Sequence, residues 1–135
     1  MTFDEQSTPA TRSAYLAAAA IDHARLSYAY LNDGNLDAYA SLFEHDAVWY
    51  RPDTTVRGRE ELVRFQEKRA GRFSVTEVIS EGSGEHVVVL GRTTEPAFGA
   101  QVGVAEVFTV SGRGLFTSLR TFYFVLPPSE VIPGR

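Results

Sequence analysis

The sequence has no cysteine. This absence excludes disulfide bonds, a thiol nucleophile and metal sites built on thiolates. No apolar run approaches the roughly 18 residues that a membrane-spanning helix needs. The first residues, MTFDEQSTPATRS, lack the charged-then-apolar layout of a signal peptide. We therefore expect a cytoplasmic protein with no membrane partner.

Positive charge is also scarce, with 13 Lys and Arg against 17 Asp and Glu and a net charge of −4. A nucleic-acid-binding surface needs concentrated positive charge, so we expect no nucleic-acid partner. His23, His45 and His86 do not have the spacing of metal ligands. The chain contains no GxSxG, P-loop or GxGxxG motif. The sequence thus predicts neither a metal nor a cofactor.

Aromatic residues are abundant, with nine Phe and six Tyr in 135 residues. This length and a hydrophobic fraction of 44% suit one globular domain with a single core. We expect this domain to span residues 11–126, between a flexible N-terminal segment, 1–10, and a short C-terminal tail, 127–135.

Hydrophobic spacing predicts three helices. The first runs from about Thr11 to Leu31 and ends at a turn in which Gly34 takes a positive φ. Asn35 caps a second, short helix, whose apolar positions continue to Phe43. A third helix is expected from about Arg59 to Ala70, with Leu62, Phe65 and Gln66 facing inward.

Most of the remaining chain predicts β-strands, because β-branched and aromatic residues alternate with polar ones. One strand, Ala47–Tyr50, separates the second and third helices. The others are Phe73–Ser80, Glu85–Arg92, Gln101–Val110 and Leu115–Leu126. A loop at Thr93–Ala100 is expected to fold over a pocket mouth. Early helices followed by antiparallel strands indicate an α+β fold.

The stretch from Tyr28 to Arg64 carries a family resemblance. Its order of helix, DGNLD, short helix, LFEHDAVWYRP, loop and RGREEL resembles the SnoaL-like group of the nuclear transport factor two-like superfamily. That superfamily includes ketosteroid isomerases, scytalone dehydratase, limonene epoxide hydrolases and polyketide cyclases. The resemblance covers about Arg12 to Val125. It implies a cone-shaped, curved antiparallel sheet wrapped by three N-terminal helices, a cystatin-like α+β barrel with an internal pocket.

Glu106 is the leading candidate catalytic residue. Strand alternation places it on one face with Val104 and Phe108. A carboxylate in apolar surroundings must be paired or protonated, and either state suits acid–base chemistry. The alternatives are an ion pair with an arginine across the sheet, or an edge-strand glutamate that faces solvent.

A gap-free comparison with ketosteroid isomerases places Glu106 at their oxyanion-binding aspartic acid. The same comparison places Ser27 at the oxyanion tyrosine, Arg51 at the general base and Gln66 at the supporting tyrosine. The resemblance therefore implies a reaction that does not use the usual isomerase base.

Arg51 is the second candidate. Alternation puts it on one face with Trp49, and the resemblance points that face into the cone. A guanidinium group there can pair with Glu106, or hold an anionic or carbonyl group of a ligand. The alternative is a surface arginine beside the turn at Pro52.

Further pocket residues come from a polar stripe of the first helix and from the strands. His23, Ser27 and Tyr30 form the stripe, where His23 and Tyr30 can relay or orient a proton; alternatively their polar tips lie in water. Inward-facing strand positions that line the pocket are Trp49, Val104, Phe108, Leu119, Thr121 and Tyr123, with His86 at the start of a strand. Alternatively the aromatic side chains are core and His86 is solvated.

Two functions remain open from the sequence. The first is a cofactor-free enzyme of SnoaL-like type, which cyclises, isomerises or dehydrates an apolar, oxygenated polyketide- or terpenoid-like intermediate. The second is a non-catalytic domain that binds a small ligand or assembles as a dimer. We expect a homodimer through the sheet, because the last strand carries more apolar residues than one face requires: Phe116, Phe122, Phe124 and Val125.

Overall fold

The computed structural model describes residues 9–69, 72–95 and 100–126. These residues form three helices and six strands. In chain order they are α1 (Pro9–Asp33), α2 (Leu36–Ala40), β1 (Phe43–Tyr50), β2 (Thr55–Arg57), α3 (Arg59–Glu67), β3 (Phe73–Ser80), β4 (His86–Glu95), β5 (Ala100–Val110) and β6 (Phe116–Phe124). No helix in these ranges is long and apolar enough to cross a membrane. Of the expected N-terminal segment, 1–10, residues 1–8 lie outside the described residues, whereas Pro9 and Ala10 belong to α1; the expected tail, 127–135, also lies outside the described residues.

The six strands form one curved, unclosed sheet in the order β2-β1-β6-β5-β4-β3. This arrangement confirms the expected α+β class with a cystatin-like fold. The sheet is not purely antiparallel, however, because β1 and β6 run parallel. A parallel pair needs a long crossover, and here β2, α3 and β3–β5 all intervene before the chain returns beside β1.

The turn between α1 and α2 forms as predicted. Gly34 has a φ of +74° and ends α1 with a bond from its N–H to the carbonyl of Leu31. The side chain of Asn35 accepts from the N–H of Ala38, which caps α2. The prediction that α2 continues to Phe43 is wrong. Phe43 opens β1 instead, because its buried ring packs against Phe116 at a centroid distance of 5.3 Å.

Three other features differ from the prediction. On α3, the prediction that Phe65 faces inward is wrong, because its side chain is 40% exposed. Its neighbour Gln66 is buried, as predicted. The three-residue strand β2 was missed, and it pairs Val56 with Trp49. The predicted loop after β4 is shorter than expected, since β4 extends to Glu95 and β5 begins at Ala100. Its remaining residues, 96–99, lie outside the described residues.

The core lies between the helices and the concave face of the sheet. Its fully buried large side chains include Tyr39, Phe43, Trp49, Leu62, Phe108, Phe116 and Leu119. Burying each such side chain contributes roughly 1.5–3 kcal/mol, which holds the helices against the sheet. On the outer face, Phe122 and Phe124 are partly exposed, and Val125 beyond the end of β6 is 93% exposed.

Candidate functional site

Glu106 lies in the middle of β5, where it is 1% exposed. Its strand neighbours are Val89 on β4 and Thr121 on β6. A position between two paired strands excludes the alternative of an edge glutamate that faces solvent. The structure therefore places a carboxyl group inside the core, where it must be satisfied by other side chains.

Three side chains form a chain of hydrogen bonds that ends at this carboxylate. Thr121 Oγ1 donates to Glu106 Oε2, and Trp49 Nε1 donates to Thr121 Oγ1 over 2.8 Å. An indole N–H can only donate, so the threonine oxygen must accept from it. The threonine hydrogen is then directed at Glu106. Register explains the contact, because Thr121 is the β6 partner of Glu106.

The second donor to Glu106 is Tyr28, whose hydroxyl lies 2.8 Å from Oε1. Its ring is fixed by stacking on Phe73 at 4.3 Å and by an edge contact with Phe108 at 5.9 Å. Burial raises the pKa of Tyr28 well above its ordinary value, and the negative charge and hydrogen bond of Glu106 raise it further. The phenol therefore stays protonated and donates to the carboxylate.

A second polar branch extends from α3 towards the same carboxylate. Arg69 Nη1 donates to Gln66 Oε1 over 2.9 Å, and Gln66 Nε2 donates to the hydroxyl of Tyr39 over 3.0 Å. Burial raises the pKa of Tyr39, and the charge of Glu106 raises it further. The nearby cation of Arg69 acts in the opposite direction on both Tyr39 and Tyr28. Two protonated phenols and a cation thus surround Glu106.

Arg51 does not form the predicted pair with Glu106 in the described structure. Its guanidinium carbon lies 4.6 Å from the ring centroid of Trp49, and its Nε is 3.7 Å from Asp53 Oδ1. Its side chain is 15% exposed, so the alternative of a plain surface arginine does not hold either. Arg69 lies over the same indole at 5.5 Å.

A cavity of about 50 Å³ adjoins this cluster. Its lining residues are Leu31, Asn32, Gln66, Arg69, Phe73 and Thr93. A larger groove of about 350 Å³ lies elsewhere, between α1 and the turns after β3 and β5, and His23 is among its lining residues. The structure therefore places His23 and Glu106 in different environments.

The structure brings together only part of the predicted pocket. Trp49, Val104, Phe108, Leu119 and Thr121 are buried on the concave face, and Tyr123 and Tyr30 pack partly buried against the same core.

Two polar candidates, Ser27 and His86, make their hydrogen bonds away from Glu106. Ser27 is buried, and its hydroxyl donates to the carbonyl of Ala24 in its own helix. The isomerase comparison placed Ser27 at the oxyanion tyrosine, but it is the neighbouring Tyr28 whose hydroxyl donates to Glu106. Tyr28 lies outside the predicted polar stripe of His23, Ser27 and Tyr30 and is buried in the core. The sequence offered one signal for the role of Tyr28: a tyrosine on the buried face of a helix needs a hydrogen-bond partner for its hydroxyl.

His86 lies on the rim of the β3–β4 turn, where its side chain is 45% exposed. Its Nδ1 is 3.1 Å from Glu81 Oε1. Glu81, Glu85 and His86 bring three possible metal-ligand atoms within 4.8 Å of one another. Glu81 is already bonded by Ser83 and His86, which lower the pKa of its carboxyl group. This exposed cluster is therefore a set of solvated hydrogen bonds around Glu81.

The geometry can be compared with known proteins. A family model described as a SnoaL-like domain matches residues 24–118. No curated protein matches the sequence.

Solved structures share the fold at low sequence identity. Bal32a from a soil-derived mobile gene cassette has a TM-score of 0.73 and 21% identity, covering 81% of this chain and 92% of its own. A presumed ketosteroid isomerase from Kribbella flavida has a TM-score of 0.70 and 19% identity, covering 88% and 91%. SalBIII, an epoxide hydrolase/cyclase-like enzyme in pyran ring formation in the polyether salinomycin, has a TM-score of 0.67 and 16% identity, covering 78% and 90%.

Proposed function

Since this chain belongs to the SnoaL-like domain family, we propose that it is a cofactor-free enzyme that transfers a proton on a small, oxygenated and largely apolar substrate. The reaction class is cyclisation, isomerisation or dehydration, and Glu106 is the acid–base group. The observation that supports this proposal is the buried carboxylate, which receives its hydrogen bonds from two neutral hydroxyl groups.

The free energy that it costs to bury Glu106 is the argument that this residue has a function. Removing a carboxylate from water costs several kcal/mol even after the protein relaxes. An apolar residue would fill the same position without this cost. The two hydroxyl groups that donate to this buried base, those of Tyr28 and Thr121, are neutral, so they leave the charge of Glu106 available for a substrate proton.

Tyr28 has a complementary role in the proposed reaction. When Glu106 accepts a proton from the substrate, the carboxyl group becomes a weaker acceptor for the Tyr28 hydroxyl. Tyr28 can then donate to the oxygen of the substrate on which negative charge develops. Its raised pKa keeps the proton on the phenol during this step.

The substrate enters at the cavity beside Arg69. This space is about 50 Å³, and a single water needs roughly 10–15 Å³. The end of α3 with Gln66, together with Arg69 just beyond the helix, therefore moves away from the sheet when a whole substrate binds. The walls that become accessible, Phe73 and Trp49, suit an apolar body.

The comparisons agree with this chemistry without defining the substrate. SalBIII is described as epoxide hydrolase/cyclase-like, and the Kribbella flavida protein as a presumed isomerase. Both descriptions imply acid–base reactions of oxygenated organic molecules. Polyketide-like and terpenoid-like intermediates belong to this class.

The proposal is tested with a panel of polyketide-like and terpenoid-like ketones, epoxides and alcohols. Native mass spectrometry detects retained compounds, and NMR of the recovered compounds detects conversion, including conversion that leaves the mass unchanged. We expect the wild type to retain and convert one class, and Glu106→Gln to retain the compound unconverted. Circular dichroism verifies that the variant is folded. Conversion by Glu106→Gln at the wild-type rate would refute the role of Glu106.

A second candidate, a non-catalytic ligand-binding or dimeric assembly domain, is favoured by two other observations. The cavity is small, and the outer face of β6 exposes Phe122 and Phe124. An apolar patch of this kind suits a homodimer interface. Sedimentation of the wild type beside Phe122→Asp tests this: a dimer that the substitution dissociates supports assembly, and a monomeric wild type contradicts it.

A further inference from the structure

The hydroxyl of Thr121 lies between two buried groups with opposite hydrogen-bonding needs. On one side is the indole of Trp49, which can only donate, and its Nε1 donates to Thr121 Oγ1 over 2.8 Å. On the other side is Glu106, whose Oε2 accepts from the same hydroxyl. A threonine hydroxyl otherwise rotates to suit its surroundings. Here the indole N–H occupies one acceptor site of the oxygen, so the hydroxyl hydrogen is directed at Glu106.

Burial and the order of the donors strengthen the bond to Glu106. Trp49, Thr121 and Glu106 are each at most 2% exposed, so both bonds form in surroundings of low dielectric constant. A hydroxyl group that accepts one hydrogen bond is polarised by it and becomes a stronger donor of the next. Trp49 therefore acts on the carboxylate through the hydroxyl of Thr121.

The two oxygens of Glu106 are bonded to different layers of the fold. Thr121 is the β6 partner of Glu106, and β6 pairs with β1, which carries Trp49, so Oε2 is held within the sheet. Oε1 accepts instead from Tyr28 on α1. The ring of Tyr28 stacks at 4.3 Å on Phe73, which lines the cavity of about 50 Å³. Oε1 is thus the oxygen bonded to the side chain that adjoins the cavity wall.

We propose that Trp49 and Thr121 are positioning residues, which hold Oε2 in the sheet so that the substrate proton is transferred to Oε1. This assignment rests on the function proposed above. In the step, the substrate C–H bond breaks, the proton joins Oε1, and the electron pair stays with the substrate, where Tyr28 donates to the oxygen that gains charge. A proton on Oε2 would have to displace the Thr121 hydrogen, which the indole keeps in place. A proton on Oε1 requires only that the Tyr28 hydroxyl turns to the substrate.

The experiment combines proton transfer with two NMR signals that need no turnover. Proton transfer is followed as deuterium uptake from D₂O into small ketones with acidic C–H bonds. The single tryptophan gives one indole N–H signal, which reports the bond from Trp49 to Thr121. The carboxyl carbon of Glu106 is observed in isotope-labelled protein and identified by its absence in Glu106→Gln. The variants are Thr121→Val, Thr121→Ser, Trp49→Phe and the double variant Trp49→Phe/Thr121→Val.

The matched control is Thr117→Val, the same chemical change on the same strand. The hydroxyl of Thr117 donates to the carbonyl of Thr109 over 3.2 Å and takes no part in the bonds to Glu106. This variant should show the uptake and both NMR signals of the wild type. Circular dichroism verifies that each variant is folded.

Thr121→Val should lower the maximal rate of uptake about tenfold or more without raising KM, as expected for one lost charge-assisted hydrogen bond. Thr121→Ser keeps the hydroxyl and should recover most of the rate. Trp49→Phe keeps an aromatic ring but lacks the N–H, so it should also slow uptake. Because both substitutions act through one hydroxyl, the double variant should be no slower than Thr121→Val alone. Losses that multiply in the double variant, or an equal loss in Thr117→Val, would overturn the proposal.

The carboxyl signal separates this proposal from the enzymatic one. It should shift in Thr121→Val and in Trp49→Phe and return in Thr121→Ser, and this result supports the positioning of Glu106 even if the wild type exchanges no ketone. A carboxyl signal that is unchanged in Trp49→Phe would overturn the proposal. Uptake that depends on Glu106 but not on Thr121 supports the enzyme and overturns the positioning role. If Thr121→Val fails to fold, Trp49→Phe carries the test through both readouts.

Discussion

The hydroxyl of Tyr28 lies 2.8 Å from Oε1 of Glu106, although the two residues are 78 positions apart in the sequence. This bond connects α1 to the middle of the sheet and directs the phenol hydrogen of Tyr28 at a buried carboxylate. It joins the two parts of the fold at the position where we propose proton transfer.

Removal of the Tyr28 hydroxyl should destabilise the protein. Tyr28→Phe leaves Glu106 buried with one hydroxyl donor fewer, which we expect to lower the free energy of unfolding by about 1–3 kcal/mol. Urea denaturation measures the change. Tyr30→Phe is the control on the same helix, because Tyr30 is only partly buried; it should cost less than about 0.5 kcal/mol. An equal loss in the two variants would contradict the assigned bond.

Alkaline pH should reveal the raised pKa of Tyr28. Its pKa is higher in the folded state than in the unfolded chain, so its contribution to stability is complete below about pH 10 and is lost as the pH rises further. Above this pH, the free energy of unfolding of the wild type should fall more steeply than that of Tyr28→Phe, by up to about 1.4 kcal/mol per pH unit. Urea denaturation between pH 9 and pH 11, on the order of the tyrosine pKa, measures both slopes. Parallel slopes would show that Tyr28 ionises within the folded protein.

Thr121 should matter through its hydroxyl rather than its shape. Thr121→Val leaves both Trp49 Nε1 and Glu106 Oε2 without this partner in the core. We expect a loss of about 2–5 kcal/mol, since each unsatisfied buried group costs about 1–3 kcal/mol. Thr121→Ser keeps the hydroxyl and should retain most of the stability. Thermal denaturation compares them, and a valine variant as stable as the serine variant would argue against the hydrogen-bond chain.

A substitution at Gly84 tests how closely the β3–β4 turn packs against α1. Its φ is +78°, and an added Cβ would lie 2.7 Å from the carbonyl carbon of Leu16. Gly84→Ala should therefore destabilise by more than about 1 kcal/mol. Gly112→Ala is the control, because nothing lies within 4 Å of its added Cβ. Similar unfolding free energies for the two variants would mean that α1 does not pack on this turn as described.

Some of the fold and site follows from the sequence and some does not. Strand alternation placed Glu106, Phe108 and Thr121 on the concave face, since a period of two is a local property. The end of α2 was misplaced because Phe43 is held by Phe116 on β6, which is distant in the chain. The side chains of Phe65 and Gln66 point about 100° apart around the helix axis. Gln66 is the buried one, and it bonds to the hydroxyl of Tyr39 on α2, which helix periodicity alone does not reveal.

The partner of Glu106 was also beyond local reasoning. Ser27 and Tyr28 are adjacent, and the gap-free isomerase comparison placed Ser27, not Tyr28, at the oxyanion tyrosine. The twist and position of α1 over the sheet place the second one against the carboxylate. Likewise, the stacking of Arg69 on Trp49 depends on the packing of α3 against β1, which no spacing in the sequence encodes.

The most direct test of proton transfer at Glu106 is deuterium uptake from D₂O into a panel of small ketones with acidic C–H bonds, followed by mass spectrometry. This exchange requires only the proposed proton abstraction and not the complete reaction. The account predicts uptake above the buffer rate with the wild type. It predicts the same uptake with Arg120→Gln, a control substitution of an exposed arginine on β6. It predicts a fall of at least about 100-fold in folded Glu106→Gln, the usual contribution of a general base. Equal uptake by the wild type and Glu106→Gln would contradict the assignment of Glu106 as the base.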